Sequence, residues 1–438
     1  MAMDRRTLVK YLAGASAAGA LAGCISTEDP DDDGNGGNGG NGDDDDSQEY
    51  EEDEDWPTVE PEGVSGNAEI WHSLSEGEQA DFEGNIDQFN GDYDVTVSAD
   101  EIAELEEQIT ASIPAGEGPE MHMWAHDWAG RDYEAGFLSD QSDRLRIDLE
   151  EYFVPGAVDA AQYDGATIGL PHAAETVGLI YNKDYVDEPP ETFEEMQEIM
   201  DEHHDPAEGT YGLSYPLDPY FYSAWVHGFG GYYYDDDSGE LGLTNEESIR
   251  GFEFIKEELF EPYMAADYEY DAQASVFLEG NAPFAFNGPW FVGDVTDFEV
   301  GTAPWPEVNG HTPSPYSGFQ LMYFTSEMDE DEERADAAVA FAEWYTSNTA
   351  IVSQMADQHG FIPVHNAFVE DDDEADELPD AVQGFAGAVE QGIPMPASPE
   401  MNQVWEPTED EFIAYLTDSK SIEDAMEDAE ARIRDAWD

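Results

Sequence analysis

Aromatic residues stand beside carboxylates in several predicted turns of this chain, and that combination suits carbohydrate binding. A flat ring fits the apolar C–H face of a pyranose, and a carboxylate accepts paired hydrogen bonds from neighbouring hydroxyls. One Trp alone is more often part of a core, but four separate turn contexts favour a sugar cleft. These contexts are Trp124 and Trp128 around Asp127, Asp218-Pro219-Tyr220-Phe221, Asn287-Gly288-Pro289-Trp290, and Trp405 after a Pro-rich stretch.

Residue patterns for catalysis or metal binding are weak. The sequence has no Gly-rich phosphate loop, no G-x-S-x-G turn and no H-E-x-x-H. His122 and His126 fall in a predicted strand end and loop, where a spacing of four does not place them on one face. His203-His204-Asp205 ends a predicted helix, where His interacts favourably with the dipole. The sequence therefore predicts no enzyme, no metal site and no cofactor.

Alternating strands and helices must position the aromatic residues. We predict helices at 332–345, at 350–358 and from Ser421 onward. Thr192 with Glu195, and Thr244 with Glu247, have the spacing of a capping box at a helix start. The earlier part of the body is predicted as strand 67–71, helix 76–89, strand 94–97, helix 101–113 and strand 120–125. This alternation predicts an α/β fold with a parallel sheet, in which ligands bind at strand carboxyl ends such as that at Trp124.

The charge of the chain is extreme, with 105 acidic and 13 basic residues and a formal net charge of −92. Such self-repulsion destabilises a compact fold in dilute buffer, but at about 1 M salt the Debye length falls to about 3 Å. We therefore predict a halophilic protein. No basic patch exists to bind nucleic acid. The hydrophobic share of 40% and the length of 438 residues predict a large core in two lobes.

The first 24 residues predict export and anchoring. Arg5-Arg6 precedes a 13-residue apolar stretch, which is shorter than the roughly 20 residues that cross a bilayer. The paired arginines indicate twin-arginine export. Leu21-Ala22-Gly23-Cys24 resembles a lipobox, so Cys24, the sole cysteine, is the predicted lipid anchor on the extracellular face of the membrane. Residues 25–66 are predicted to be a disordered acidic Gly/Asn-rich linker.

From about Asn67 to Asp438 the chain resembles the extracellular solute-binding proteins of ABC sugar importers, specifically the maltose/maltodextrin-binding family. Short sequence motifs typical of this family occur along the chain in the same order as in the family. They are Trp124-Ala125-His126-Asp127, Leu179-Ile180-Tyr181-Asn182-Lys183-Asp184, Pro189-Pro190-Glu191-Thr192, Asp218-Pro219-Tyr220-Phe221, Asn287-Gly288-Pro289-Trp290, Met395-Pro396, and Met401 with Trp405.

The resemblance implies a role for each matching residue. In the N-lobe, Trp124 packs on the sugar and Asp127 accepts its hydroxyls, and Glu175 is the hinge-region glutamate that binds it. In the C-lobe, Asp218 stands where the family often has Glu, and the implied aromatic contacts are Tyr220, Phe221, Trp290 and Trp405.

Three departures from the family bear on which sugar fits. The loop that carries Gly-Asp-Lys in enteric relatives reads Leu74-Ser75-Glu76-Gly77, so Glu76 becomes a candidate contact. Trp128 replaces an arginine and is a further candidate, and another family arginine is missing near Glu409. The implied site gains Trp and Glu while it loses cationic donors.

The resemblance also implies a type II two-lobe fold, with the ligand cleft between lobes joined by hinge segments. By analogy the N-lobe comprises 67–173 and 301–324, and the C-lobe 178–300 and 325–438. Ligand contacts from both lobes favour closure, and a permease with a separate ATPase accepts the closed form of this monomer. Alternatives are a binder of trehalose or cyclodextrin, a glycoside hydrolase using Glu175 with Asp127 or Asp218, and a surface adhesin.

Overall fold

The computed structural model of the chain describes residues 50–53, 55–236, 238–370 and 379–437. The predicted signal, Cys24 and most of the predicted linker lie outside these ranges. Within them, helices and strands form two α/β lobes, each built around its own sheet.

The first lobe contains a six-stranded sheet, which positions Trp124. Gly66–His72 lies between two parallel neighbours, Val95–Glu101 and Met121–Ala125. The three strands predicted in this region are therefore confirmed. The sheet is mixed rather than purely parallel, because Tyr316–Phe324 runs antiparallel to Met121–Ala125. Gly169–Thr176 and Ile393–Pro394 also pair with Tyr316–Phe324.

The second lobe contains a four-stranded sheet in the order Val300–Ala303, Gly178–Asn182, Phe284–Asn287 and Leu213–Ser214. Two small hairpin-like pairs complete the strands, Gln162–Tyr163 with Ala166–Thr167 and Tyr234–Asp235 with Glu240–Leu241. The large apolar cluster of this lobe includes the fully buried Trp225 and Tyr222.

The chain crosses between the lobes several times, and two of these crossings lie close together in space. Strand Gly169–Thr176 ends in the first sheet, and Gly178–Asn182 begins in the second. Val177 between them is fully buried, and its carbonyl accepts a 2.6 Å bond from Trp305 Nε1. Trp305 belongs to the return segment that leads from the second sheet to Tyr316–Phe324. These crossing segments form the hinge.

The helices cover both sheets. Those of the first lobe are Glu76–Asp92, Leu105–Ser112, Ala129–Glu134, Leu149–Tyr152, Pro155–Ala160, Glu332–Ser347 and Thr349–His359. Those of the second lobe are Phe193–His203, Pro219–Gly228, Glu246–Phe254, Glu261–Tyr263, Tyr270–Leu278, Asp380–Gln391, Trp405–Leu416 and Ile422–Trp437. A π-helical turn, Ile255–Phe260, continues helix Glu246–Phe254. Ala367–Glu370 is a further short helix. None of the helices within the described ranges is long and apolar enough to span a membrane.

Several segments lie in a different lobe from the predicted one, and Thr349–His359 and Ile393–Pro394, predicted in the C-lobe, belong to the first lobe. Val300–Ala303 pairs with Gly178–Asn182 in the second sheet, although 301–324 was assigned wholly to the N-lobe. Helix Glu332–Ser347 packs on Gly66–His72 of the first sheet, although 325–438 was assigned to the C-lobe. Its buried face, which includes Phe341 and Trp344, is what holds it there.

The two predicted helix caps have different outcomes. Thr192 caps Phe193–His203, accepting a 3.3 Å bond from the Glu195 amide. Thr244 is not a cap, because the next helix begins after Asn245. Thr244 instead donates through its hydroxyl to Glu430 at 3.0 Å, which ties this turn to the C-terminal helix.

The end of the predicted linker is ordered against the first lobe. Tyr50 donates to Asp357 at 2.7 Å, and the amides of Asp53 and Val59 bond Thr349 and Ser347. Trp56 contacts the rings of Tyr152 and His365 edge-on at 5.9 and 5.3 Å. Residues 50–53 and 55–60 therefore form a strap over two helices, so the linker prediction does not hold for them.

Candidate ligand-binding site

The first-lobe part of the site lies at the carboxyl end of strand Met121–Ala125. Trp124 is half-buried, and its ring stacks on that of Trp128 with centroids 4.6 Å apart and planes 23° apart. Trp128 is 5% exposed and packs on an apolar cluster that includes Leu105 and Tyr323. Trp124 thus presents an aromatic face that Trp128 supports from behind.

Both Trp residues line a groove of about 640 Å³ on the first lobe. Apart from Leu105, the rest of its wall is formed by small and acidic residues: Ser73, Ala103, Glu104, Glu106, Glu107, Thr110 and Ala111. An aromatic face opposite carboxylates gives the groove the two kinds of contact that a sugar ring needs. We refer to it as the Trp groove.

Buried His126 fixes the turn that carries Asp127. Its Nδ1 accepts from the Phe319 amide at 3.2 Å, and its Nε2 lies 3.2 Å from the Met395 carbonyl oxygen. Burial lowers the pKa of His126 to about 4, so the ring stays neutral and can accept at one nitrogen while it donates at the other. Gly318 allows this approach, since a Cβ there would lie 2.9 Å from the ring.

Asp127 and Glu175 form a buried carboxylate pair at the junction of the lobes. They are 7% and 5% exposed. Burial, then the charge of Glu175, raises the pKa of Asp127 to about 8, while Arg131 and an indole hydrogen bond from Trp405 act in the opposite sense. Burial raises the pKa of Glu175 to about 7, against a hydrogen bond from Gln320. Asp127 Oδ1 has no partner among the described residues.

In the second lobe, Asp218 both caps a helix and faces the site. Its carboxylate accepts a 2.8 Å bond from the Tyr220 amide at the start of Pro219–Gly228. Burial raises the pKa of Asp218 to about 6, although the Tyr220 and Phe221 amides lower it. The hydroxyl of Tyr220 is buried without a partner among the described residues, and its pKa is raised by burial and then by Glu175, Asp127 and Asp218.

An aromatic line joins the second-lobe residues. The ring of Trp405 lies 6.5 Å from Tyr220, Tyr220 lies 6.0 Å from Phe221, and Phe221 lies 6.1 Å from Trp290, each edge to face. Phe221 is 6% exposed, so it supports Trp290 more than it offers a surface of its own. Trp405 begins helix Trp405–Leu416, and its indole acts to lower the pKa of Asp127 in the other lobe.

The structure thus brings most of the predicted site residues together. Asp127, Glu175, Tyr220 and Trp405 meet at the lobe junction, with Asp218 beside Tyr220. Trp124 and Trp128 lie in the Trp groove, and Phe221 with Trp290 ends the aromatic line. Glu76 is the first residue of helix Glu76–Asp92, and its side chain is outside what the structure describes.

Three residues of the site were missed from the sequence. Gln320 donates to Glu175, and Tyr270 places its ring 6.0 Å from Phe221 while its hydroxyl lies 3.5 Å from Asn287 Nδ2. Arg131 lies over the face of Trp128, 4.4 Å from the ring centroid. Only Arg131 carried a sequence signal, because it is the first basic residue after Lys10 and follows Asp127 by four positions.

No group of three or more His, Cys, Asp or Glu side chains in the described ranges is placed to hold a metal ion. The chemistry of the site is that of hydrogen-bond acceptors and aromatic faces. This defines the class: a two-lobe α/β binding protein with a polar, aromatic-lined cleft.

Comparison with known proteins places the chain within that class. Residues 85–383 match the family model for bacterial extracellular solute-binding protein. The chain belongs to this family. Because the family binds solutes rather than converting them, the glycoside hydrolase alternative is not supported.

Relatives and solved structures agree on the fold. The chain is 38% identical over 370 residues to the maltotriose-binding protein of Pyrococcus abyssi, covering 83% of this chain and 80% of the relative. It is 25% identical to the galactooligosaccharide-binding protein of Bacillus subtilis, covering 78% and 83%. The structure of the Thermus thermophilus maltotriose-binding protein with bound maltotriose superposes with a TM-score of 0.76, at 26% identity, covering 85% of this chain and 100% of that one.

Proposed function

We propose that this chain is the substrate-binding component of an ABC transporter that captures maltodextrin-like oligosaccharides outside the cell. The main support is the cluster at the lobe junction, where the indole of Trp405 in the second lobe acts to lower the pKa of Asp127 in the first and Asn402 donates to the Asp127 carbonyl oxygen at 2.7 Å. Asp127 and Tyr220 also carry buried polar atoms without partners among the described residues. Vicinal hydroxyls of a sugar can supply the missing donors and acceptors, and the rings supply its apolar faces.

Binding works by closure of the lobes around the hinge. Asp127 and Trp124 belong to the first lobe and Tyr220, Trp290 and Trp405 to the second, so a ligand that touches both sets binds the closed state more tightly than the open state. A ligand shifts a conformational equilibrium only by this difference in affinity. The closed form of a monomer is then what the permease, with its separate ATPase, recognises.

The proposed function predicts micromolar binding of linear maltodextrins without hydrolysis. Mature protein in about 1 M KCl, where surface carboxylates are screened, is titrated calorimetrically and by Trp fluorescence. The ligands are maltose, maltotriose, trehalose, glucose, a cyclodextrin and a galacto-oligosaccharide. We expect maltotriose to bind most tightly, because the Trp groove extends the site beyond the lobe junction. Weaker binding is expected at low salt, where self-repulsion opposes the compact fold.

Each outcome of this titration is decisive. Preference for trehalose, cyclodextrin or the galacto-oligosaccharide would change the proposed ligand but not the proposed role in transport. No response to any saccharide would reject the sugar proposal. Shorter products on chromatography would favour the hydrolase after all.

We further propose that the protein is exported by the twin-arginine route and held on the outer face of the membrane by lipid on Cys24. Support comes from Arg5-Arg6 and the lipobox-like Leu21-Ala22-Gly23-Cys24. From Cys24 to the strap at Tyr50 the chain can extend up to about 90 Å, so the lobes can reach a permease from a fixed anchor. A halophile gains from this route because an acidic chain folds in its salty cytoplasm before export.

The anchor predicts that Cys24→Ser moves the protein from the membrane fraction to the medium, since one thiol carries the lipid. Cell fractionation and immunoblotting measure this shift, and Ser47→Ala in the linker is the matched control. Retention of the Cys24→Ser variant in the membrane fraction would argue against the lipid anchor.

A further inference from the structure

The side chain of Arg131 contacts two residues that line the Trp groove, Trp128 and Glu106. The guanidinium of Arg131 lies over the Trp128 ring at 4.4 Å, and its Nε donates to Asp132 at 2.7 Å. Its Nη1 also donates to Glu106, which lines the groove together with Trp128. The Arg131 side chain is 18% exposed and Asp132 is fully buried, so Asp132 fixes the guanidinium from the protein side.

The contacts of Arg131 are of a kind that requires its shape. A planar guanidinium stacks on an aromatic face while its edge donates in fixed directions to two carboxylates. Lys provides the charge but neither the plane nor the fork of donors. The cation–π contact is also strengthened because Trp128 is nearly withdrawn from water.

We propose that Arg131 is a positioning residue for oligosaccharide binding: it holds Trp128 behind Trp124 and fixes Glu106 on the wall of the Trp groove. This inference rests on the proposed function and deepens it, because it names what keeps the first-lobe platform in place. Through Trp128, Arg131 sets the plane of the Trp124 face that a glucosyl ring packs against. It does not need to touch the ligand to do so.

Arg131 has a second, separable effect through its charge. It lowers the pKa of Asp127, which burial, Glu175 and Asp132 raise and the indole of Trp405 lowers. A sugar hydroxyl donates more strongly to an ionised carboxylate than to a neutral one. Arg131 therefore extends the pH range over which Asp127 is ready to bind.

The test compares Arg131→Gln and Arg131→Lys with the wild type, using maltotriose titrations across pH in about 1 M KCl. For Arg131→Gln we expect binding about ten-fold weaker, the scale of one desolvated cation–π contact with its charged hydrogen bonds. Its loss of affinity on acidification should also begin at higher pH. Arg131→Lys should weaken binding too, yet keep the wild-type pH midpoint, because the charge remains.

Arg144→Gln is the matched control, since Arg144 also pairs with a carboxylate on the first lobe, but this carboxylate, Asp336, does not line the groove. It should leave affinity and pH midpoint unchanged. Wild-type affinity and midpoint in Arg131→Gln would overturn the inference while the proposed function stands. If circular dichroism shows that Arg131→Gln does not fold, the Arg131→Lys variant provides the test. Wild-type affinity in Arg131→Lys would then overturn the inference. A wild-type protein that binds no saccharide would reject both.

Discussion

Replacing Trp405 with Ala should weaken maltotriose binding about 100-fold, the largest effect expected of any single substitution here. The ring contacts Tyr220, Tyr233 and Tyr316, and the indole acts to lower the pKa of Asp127 in the other lobe. One change thus removes an aromatic face and the indole N–H nearest to a buried carboxylate. Central Trp residues of this kind contribute about 3 kcal/mol to binding, which corresponds to about a 100-fold change.

Two further variants separate the roles of Trp405. Trp405→Phe keeps a ring and loses the N–H, so the affinity of Trp405→Phe should fall between those of wild type and Trp405→Ala. Trp437→Ala is the control, because Trp437 contacts Tyr234 and the Glu400 carbonyl near the C-terminus of the chain. Calorimetry measures affinity and circular dichroism checks folding. If Trp405→Ala unfolds the protein and Trp405→Phe binds maltotriose as tightly as the wild type, Trp405 is a core residue and does not form a binding surface for the sugar.

Oligosaccharide affinity should fall as the pH decreases from about 9 to about 6, by up to about ten-fold per pH unit for each carboxylate involved. In the ligand-free protein the pKa of Asp127 is about 8 and that of Glu175 about 7. Hydroxyl donors from a sugar favour the ionised carboxylates and lower both pKa values in the complex. Binding therefore requires proton release below pH 8, and this costs affinity.

The stability of the ligand-free protein should change in the opposite direction. Both folded-state pKa values lie above their ordinary values of 3.8 and 4.5. The stability that these groups contribute is fully present at low pH and is lost as the pH rises through about 7 and then about 8. The thermal midpoint without ligand should thus decrease as the pH rises from about 4 to about 8, while the increase produced by maltotriose becomes larger.

Asp127→Asn tests the assignment of this pH effect. This variant removes the carboxyl group with the higher pKa. Its affinity should therefore be nearly constant above pH 8 and should depend on pH mainly through Glu175, near pH 7. Its affinity should also be lower than that of the wild type at every pH. Asp410→Asn, at an exposed carboxylate paired with Arg432, is the control and should keep the wild-type profile. A profile in Asp127→Asn identical to that of the wild type would show that Asp127 is not the titrating group.

Local spacing was enough to predict many elements of the fold. The helices and strands around Trp124 lie where their apolar periodicity predicts, within a few residues at each end. Assignment to a lobe was less predictable. Val300–Ala303 is only four residues long, and its sheet is decided by hydrogen bonds to Gly178–Asn182, more than 100 positions earlier. Strap residues 50–60 have a linker's composition, but Trp56 finds two aromatic partners on the lobe surface.

The sequence by itself determined the chemistry available to this protein: a strong excess of acidic residues, and carboxylates and aromatic rings placed together in turns. Only the tertiary structure decided which of these act on one another. It brings Asp127 within range of the charge of Glu175 and the indole of Trp405, and it places Arg131 over Trp128. The reason is physical, since pKa values and ring contacts depend on burial and on neighbours from distant segments, which spacing along the chain does not encode.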